Sequence, residues 1–173
     1  MSRWYQSIVG NAIAWVQAIT QSTGVADGGK IVATDPATGR FHLSVMPSSV
    51  GVPTEVIPAT EALGAGDFVE IYSASGTRSC RRADASLSRK AHGYVLTAVT
   101  SGQNATVFKD GTNTAVTAVA VGTDYYLSNS VPGGFSATPP AFTNTGHIIQ
   151  HLGFGVSTTG IEYEYSESAY IAG

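Results

Sequence analysis

Two histidines four residues apart, His147 and His151, are the residues whose type and spacing first suggest chemistry. On a helix, this spacing places both imidazoles on one face, as zinc peptidases require, but those enzymes also need a glutamate directly after the first histidine. Ile148 occupies that position. On a strand, the two histidines share one face, whereas Gln150 and Leu152 lie on the other. We therefore interpret both as ordinary strand histidines and predict neither a bound metal nor any other cofactor.

Basic residues form a second cluster, since five of the nine lysines and arginines fall between positions 78 and 90. No glycine-rich phosphate loop and no interleaved aromatic residue accompanies them, so the cluster is not typical of a nucleic-acid site. Two interpretations remain open. The cluster is either a patch that contacts an acidic protein surface or a phosphate, or a solvated hairpin face that keeps an edge strand from pairing. The candidate partner-binding residues of the first interpretation are Arg78, Arg81 and Arg82.

The remaining residue types do not indicate a catalytic site. The Gly-x-Ser-x-Gly motif of serine hydrolases does not occur. The single cysteine, Cys80, excludes an internal disulfide and is typical of a small buried apolar residue. Glu162 and Glu164 alternate with Tyr163 and Tyr165, which predicts a strand with one charged face. We therefore predict that the chain is not an enzyme.

The composition indicates a globular, β-rich protein. Apolar residues make up 43% of the 173 residues, charged residues only 12%, and there are 20 glycines. This balance argues against a disordered chain, and it also argues against a coiled coil, which needs abundant charged helix formers. The net charge of −3 does not favour nucleic acid as a partner. No run reaches the roughly 18 to 20 apolar residues of a membrane helix, so we expect no membrane association.

The N-terminal segment from Trp4 to Thr20 admits two interpretations. Its apolar residues follow a spacing close to 3.6, which would form an amphipathic helix. Alternatively, Gly10-Asn11 separates two β-branched and aromatic runs, which is typical of a two-residue hairpin. We favour the hairpin, because a glycine inside a short helix costs about 1 kcal/mol relative to alanine.

Glycine and proline interrupt residues 21–58 every few positions, so few long strands can form there. Two short strands are predicted, Lys30–Thr34 and Arg40–Val45, joined by a turn over residues 35–39. We therefore predict an extended N-terminal arm, residues 1–53, that docks on another surface or on a neighbouring subunit. Tryptophan is enriched among interface anchors. The candidate docking residues are Trp4, Tyr5 and Trp15.

Short strands separated by turn residues recur from about residue 54 onward. This spacing is typical of an all-β barrel or sandwich, and it defines a second predicted domain, residues 54–173. The candidate strands are Glu55–Ala59, Asp67–Tyr72, Thr77–Ala83, Ala91–Val99, Ala105–Asp110, Thr114–Val119, Asp124–Ser128, Gly134–Thr138, His147–Ser157 and Ile161–Tyr165.

Several stretches of this chain resemble a known family. Residues 26–35 (ADGGKIVATD), followed by Val45-Met46-Pro47, look like the arm that precedes a β-domain in virion proteins of tailed bacteriophages. The likeness continues through AGDFVEIY at 65–72, AHGYVL at 91–96, GTDYYLS at 122–128 and IQHLG at 149–153. The chain thus resembles the capsid decoration, cement or head-fibre proteins, whose modules also occur in tail fibres.

The resemblance implies a non-enzymatic structural protein on the capsid exterior of a virion. Its expected partners are the major capsid protein lattice and further copies of itself, most commonly in a homotrimer. The alternative is a receptor- or carbohydrate-binding module of a tail or head fibre. The two differ in where aromatic side chains are expected: against the lattice in a decoration protein, and in a shallow groove facing solvent in a binding module.

Overall fold

The computed structural model describes residues 4–9, 12–21, 31–41, 45, 52–141, 146–167 and 169–170. The chain divides into two compact units, Met1–Gly51 and Val52–Gly173. The boundary predicted from the sequence, after residue 53, lies two positions from this division. No helix in the described part of the chain has the length and apolar character needed to cross a bilayer.

The described residues of the N-terminal unit form three strands, β1 (Trp4–Val9), β2 (Ala12–Ile19) and β3 (Ile31–Val32). Strands β1 and β2 pair antiparallel, and β3 pairs parallel with β2. This segment is therefore a hairpin in the structure and not a helix, although Gly10-Asn11 itself lies outside the described residues.

A polar turn follows β3, as the sequence predicts. The Asp35 carboxylate accepts the backbone N–H groups of Ala37 and Thr38 at 2.8 and 2.9 Å. Gly39 ends the turn with a positive φ of 68°. The strand predicted at residues 40–45 is not present at Arg40 or Phe41, and residues 42–44 lie outside the described part of the chain.

The second unit begins with an antiparallel sheet of five strands in the order β4-β8-β7-β5-β6. These strands are β4 (Thr54–Pro58), β5 (Phe68–Ala74), β6 (Thr77–Arg82), β7 (Gly93–Tyr94) and β8 (Asn104–Phe108). A 3-10 turn, Ala85–Leu87, follows β6 and is capped by the Asp84 carboxylate.

A second five-stranded antiparallel sheet has the order β11-β10-β13-β14-β9, and a two-stranded ribbon joins β12 to β15. The strands are β9 (Gly111–Asn113), β10 (Asp124–Leu127), β11 (Phe135–Ser136), β12 (Ile148–Ile149), β13 (His151–Ser157), β14 (Gly160–Tyr163) and β15 (Ala169–Tyr170). The prediction of an all-β protein is confirmed.

The first sheet curls until its two edge strands meet, which makes it a partly closed barrel. Just beyond β4, Ala59 forms a parallel bridge with Cys80 of β6. The Thr60 N–H donates to the Cys80 carbonyl at 2.9 Å. Closing a sheet in this way removes the unpaired edges that promote aggregation.

Two apolar cores result from this arrangement. One lies inside the barrel, where side chains from all but the shortest of its strands meet. It contains Ile57, Ala59, Leu63, Val69, Cys80, Val95, Ala105 and Val107. The other draws residues from both sheets and centres on three aromatic rings, Phe68, Tyr94 and Tyr163, whose centroids lie 5.7 to 6.3 Å apart. Tilted and edge-to-face rings at such distances stabilise a core beyond their area burial.

A fully buried glutamine joins the two sheets. The Gln150 Oε1 accepts the Ala91 N–H at 2.7 Å, and its Nε2 donates to the Ala91 carbonyl at 2.8 Å. The same Nε2 donates to the Ser166 carbonyl at 3.1 Å. The Tyr163 hydroxyl also donates to the Ala91 carbonyl. The Gln150 side chain therefore makes the hydrogen bonds to the Ala91 backbone that a neighbouring strand would otherwise make.

Several of the predicted strands differ from the observed ones. The predicted strand His147–Ser157 is divided at Gln150 into β12 and β13, which belong to different sheets. Residues 114–119 are not a strand; β9 ends at Asn113, because its side chain accepts the Ala115 N–H and donates to the Gly66 carbonyl. The predicted strand over residues 91–99 is reduced to Gly93–Tyr94. The backbone beyond β7 instead forms separate hydrogen bonds to the loop that precedes β5. The Val95 N–H, for example, donates to the Asp67 carbonyl at 3.0 Å.

We predict that Gln150→Leu destabilises the second unit by about 2 kcal/mol, since the buried Ala91 N–H loses its acceptor, whereas the Ala91 carbonyl keeps the Tyr163 hydroxyl as a donor. Chemical denaturation of the full chain measures this difference. The matched control, Gln103→Leu, alters an exposed glutamine and should change stability by less than about 0.5 kcal/mol. Equal effects of the two substitutions would contradict the prediction.

Candidate binding site

The open end of the barrel differs chemically from its interior. Side chains alternate along a strand, so Glu55 lies on the same face of β4 as the buried Ile57. By the same alternation, Arg78 lies on the face of β6 that carries the buried Cys80. The inward-facing positions thus change from apolar residues in the interior to charged residues at the end. The mouths of β-barrels are common places for ligand sites.

A pocket of about 350 Å³ opens here, and we call it the mouth pocket. It is lined by Ile71, Arg78, His92, Lys109 and Tyr165. All five belong to the second unit.

One carboxylate holds the two cations of the mouth pocket in place. The Glu55 Oε1 lies 2.5 Å from the Arg78 Nε, and its Oε2 lies 3.0 Å from the Arg78 Nη2. The Lys109 Nζ is 2.6 Å from the same Oε2. Hydrogen bonds from Arg78 and then Lys109 lower the pKa of Glu55 to about 2. Glu55 is therefore ionised throughout the neutral range, and it spans the place where β4 and β6 meet.

The His92 imidazole is fixed on two sides. Its Nδ1 accepts the Ile71 backbone N–H at 3.0 Å. Its ring stacks on Tyr165, with centroids 6.1 Å apart and an angle of 17° between the planes. Burial lowers the pKa of His92 below its ordinary value. The ring is therefore neutral at pH 7, and because Nδ1 accepts, its proton lies on Nε2.

Tyr165 presents an aromatic face at the surface. The residue is 54% exposed although its ring stacks on a half-buried histidine. An exposed ring held in one orientation is a platform on which a flat or partly apolar ligand can stack. The pocket therefore combines an aromatic platform, an aliphatic wall at Ile71 and a cluster of hydrogen-bond donors.

The other two arginines predicted to contact a partner are also paired with carboxylates. The Arg81 Nε lies 2.6 Å from the Glu70 Oε2, and its guanidinium stands 4.1 Å from the centre of the Tyr72 ring. The Arg82 Nε lies 3.5 Å from the Glu61 Oε1. Of the three predicted arginines, Arg78 alone lines the mouth pocket, and a role of all three in partner binding stays a prediction.

The two histidines follow the predicted strand alternation. Ile148, Gln150 and Leu152 are fully buried, whereas His147 and His151 are partly exposed. The His151 Nε2 lies 3.2 Å from an Asp124 carboxylate oxygen, at the surface. Within the described residues, no group of three or more histidine, cysteine and acidic side chains is placed to hold a metal ion.

Cys80 is fully buried inside the barrel, as expected for a small apolar residue. Burial raises the pKa of its thiol to about 11. The thiol therefore stays protonated at neutral pH and is a poor nucleophile.

The predicted docking residues Trp4 and Tyr5 lie on β1, and Trp15 lies on β2. In the strand register, Trp4 is opposite Gln17 and Trp15 is opposite Gln6. The surroundings of these side chains lie outside the described part of the chain, so docking through them stays a prediction.

Sequence reasoning missed most of the mouth pocket. His92, Lys109 and Tyr165 are far apart in the sequence, and no spacing connects them. Tyr165 was assigned only to the alternating strand near the C-terminus. In the structure β14 ends at Tyr163, which is fully buried, and Tyr165 lies beyond the end of the strand, where it is exposed.

No protein-family model, curated protein or solved structure matches this chain. The site must therefore be interpreted from its own geometry and charges.

We predict that Glu55 stabilises the fold in a pH-dependent way. Its pKa is lowered in the folded state from 4.5 to about 2, so its contribution is complete above pH 4.5 and is lost as the pH falls towards 2. The difference in melting temperature between the native chain and Glu55→Gln should be largest above pH 4.5 and shrink towards pH 2. The control, Glu164→Gln, changes an exposed carboxylate and should change the melting temperature by less than Glu55→Gln does above pH 4.5. A Glu55→Gln difference that stays constant from pH 6 to pH 2 would disprove the ion-pair role.

Proposed function

We propose that this chain is a non-enzymatic structural protein of a tailed-bacteriophage virion, which binds the outer capsid surface as a decoration, cement or head-fibre protein and stabilises it. The resemblance in the arm and in the start of the β-domain supports this proposal. In it, the N-terminal unit attaches to the major capsid lattice, and the all-β unit clamps or projects.

The observation that carries the proposal is the separation of the chain into two units. The unit Val52–Gly173 contains both buried cores, so it has the means to fold by itself. The unit Met1–Gly51 contains both tryptophans of the chain. A self-sufficient β-domain preceded by a tryptophan-bearing segment suits a protein that is anchored at one end to a larger assembly.

Self-association is part of the proposal. Several large apolar side chains of the second unit are exposed, and contacts between identical copies would cover some of them. They include Leu87, Val121, Val131, Phe154 and Val156, each at least 40% exposed.

We predict a stable homo-oligomer, most commonly a trimer of about 54 kDa built from chains of 17.9 kDa. Closed symmetric oligomers are the usual way to cover apolar surface in identical copies. Light scattering coupled to size exclusion measures the mass. A monodisperse monomer at micromolar concentration would refute this part of the proposal.

We predict that attachment depends on the first unit, whereas folding of the second does not. A fragment of residues 52–173 should unfold cooperatively but should not decorate capsids that lack this protein. Loss of a buried tryptophan at an interface costs about 2 kcal/mol or more, and several identical arms on one lattice multiply the effect.

Electron microscopy of capsids mixed with either chain measures decoration, and the full-length chain prepared in the same way is the control. A folded fragment that still decorates capsids would move attachment to the β-domain. An aggregated fragment would show that residues 1–51 belong to its core. Either result contradicts the proposed division of roles.

The second candidate function is a carbohydrate- or receptor-binding module of a phage fibre. The observation that favours it is the mouth pocket, where the 54% exposed Tyr165 stacks on His92 beside two cations. A solvent-facing aromatic pocket of this kind is the feature expected of a binding module. The two functions are compatible, because they use different units of the chain.

A further inference from the structure

The mouth pocket lies in the second unit, so the proposed attachment to a capsid through the first unit does not involve its side chains. We propose that it binds a carboxylated sugar residue, such as a uronic acid unit of an acidic glycan. The proposal rests on the second candidate function and gives it a ligand class. Three properties of the pocket support it: its aromatic platform, its excess of positive charge and its size.

The aromatic platform suits the face of a sugar ring. The C–H groups on one face of a pyranose form an apolar patch, which packs on an aromatic ring while the hydroxyls at the edge stay hydrated or hydrogen-bonded. Tyr165 offers such a face, and His92 stacks behind it and limits its motion. Ile71 adds an aliphatic wall to the same pocket.

The charge of the pocket favours an anion. Arg78 and Lys109 share one carboxylate, that of Glu55, which leaves one net positive charge in this cluster. Arg78 has five N–H donors and directs two of them at Glu55. Lys109 has three and directs one at the same carboxylate. The remaining donors can bind a second carboxylate, which charge-assisted hydrogen bonds stabilise most strongly.

A neutral donor next to the cations suits a sugar better than it suits a small inorganic anion. The His92 Nδ1 is occupied by the Ile71 N–H, so the ring offers Nε2–H as its remaining donor. Donors of this kind bind hydroxyl oxygens and carboxylate oxygens alike. A ligand with both groups and an apolar face uses every part of the pocket, whereas phosphate leaves the Tyr165 face without a contact.

The pocket is also pre-organised and of suitable size. Its volume of about 350 Å³ is near the lower limit of small-molecule sites, which suits one or two sugar units. Glu55 fixes Arg78 and Lys109 before any ligand arrives, and the backbone of β5 fixes His92. Ligand binding then orders few additional side chains, which reduces its entropic cost.

The test is a titration of the full-length chain with three soluble probes, followed by NMR of the aromatic and imidazole resonances. Glucuronate carries both the sugar ring and the carboxylate, glucose carries the ring alone, and inorganic phosphate carries only charge. We expect glucuronate to bind with a dissociation constant of a few mM, and both other probes to bind about tenfold more weakly or worse.

Two variants and two matched controls locate the binding. Tyr165→Ala removes the platform and Lys109→Gln removes one cation without touching the Glu55–Arg78 pair; each should weaken glucuronate binding about fivefold or more. Phe154→Ala removes an exposed aromatic residue on the other sheet, and Arg89→Gln removes a cation outside the pocket. Both controls should keep binding within about twofold of the native chain.

Each contrary outcome overturns the inference in a recognisable way. Equal binding of glucose and glucuronate would keep a carbohydrate site but refute the acidic class. Equal binding of phosphate and glucuronate would reduce the pocket to a simple anion site. Absence of any perturbation by either sugar at about 50 mM would refute the inference together with the carbohydrate-binding function, while leaving capsid decoration unaffected.

Discussion

The fold of the second unit depends on the buried contact between Gln150 and Ala91. Both backbone groups of Ala91 are bonded to one side-chain amide, at 2.7 and 2.8 Å, and that side chain is fully buried. A buried backbone group without a partner costs about 1 to 3 kcal/mol, so this contact allows the segment between β6 and β7 to be buried at Ala91 without forming a strand there. The aromatic core can then pack between the sheets. Tyr163 contributes its ring to this core, and its hydroxyl donates to the Ala91 carbonyl.

A close backbone approach restricts the second sheet in a similar way. At Gly153 of β13, φ is +133°, and a Cβ would lie 1.8 Å from the Glu162 carbonyl oxygen of β14. No other residue type fits there, because both the dihedral angle and the space exclude a side chain. The local shift in register between β10 and β13 lies directly beside it, between Tyr125 and Tyr126. Such irregularities are designed features of curved sheets, and this one brings His151 opposite Tyr126 at the surface.

The sequence predicted the all-β class and most strands because period-two alternation and turn residues are local signals. The alternation around Gln150 is an example: it correctly separated His147 and His151 from the buried face. It did not reveal that Gln150 bonds Ala91, since that contact spans 59 positions and depends on the packing of two sheets. The mouth pocket escaped prediction for the same reason, because barrel closure brings Glu55, Arg78 and Lys109 together and no local pattern encodes it.

Barrel closure also explains the charge of the mouth pocket. In the interior, the barrel is closed by the backbone bond from Thr60 to Cys80, which needs no charge. At the open end, water competes for backbone groups, and the Glu55–Arg78 ion pair holds β4 against β6 instead. An isolated exposed ion pair contributes little to stability, because holding it costs side-chain entropy. Glu55 pairs with two cations at a strand junction, so the entropy lost in fixing its side chain is shared by two ion pairs. The same sharing leaves the cluster with one positive charge in excess. A sheet closed in this way therefore has an anion-attracting end as a direct consequence of how it is closed.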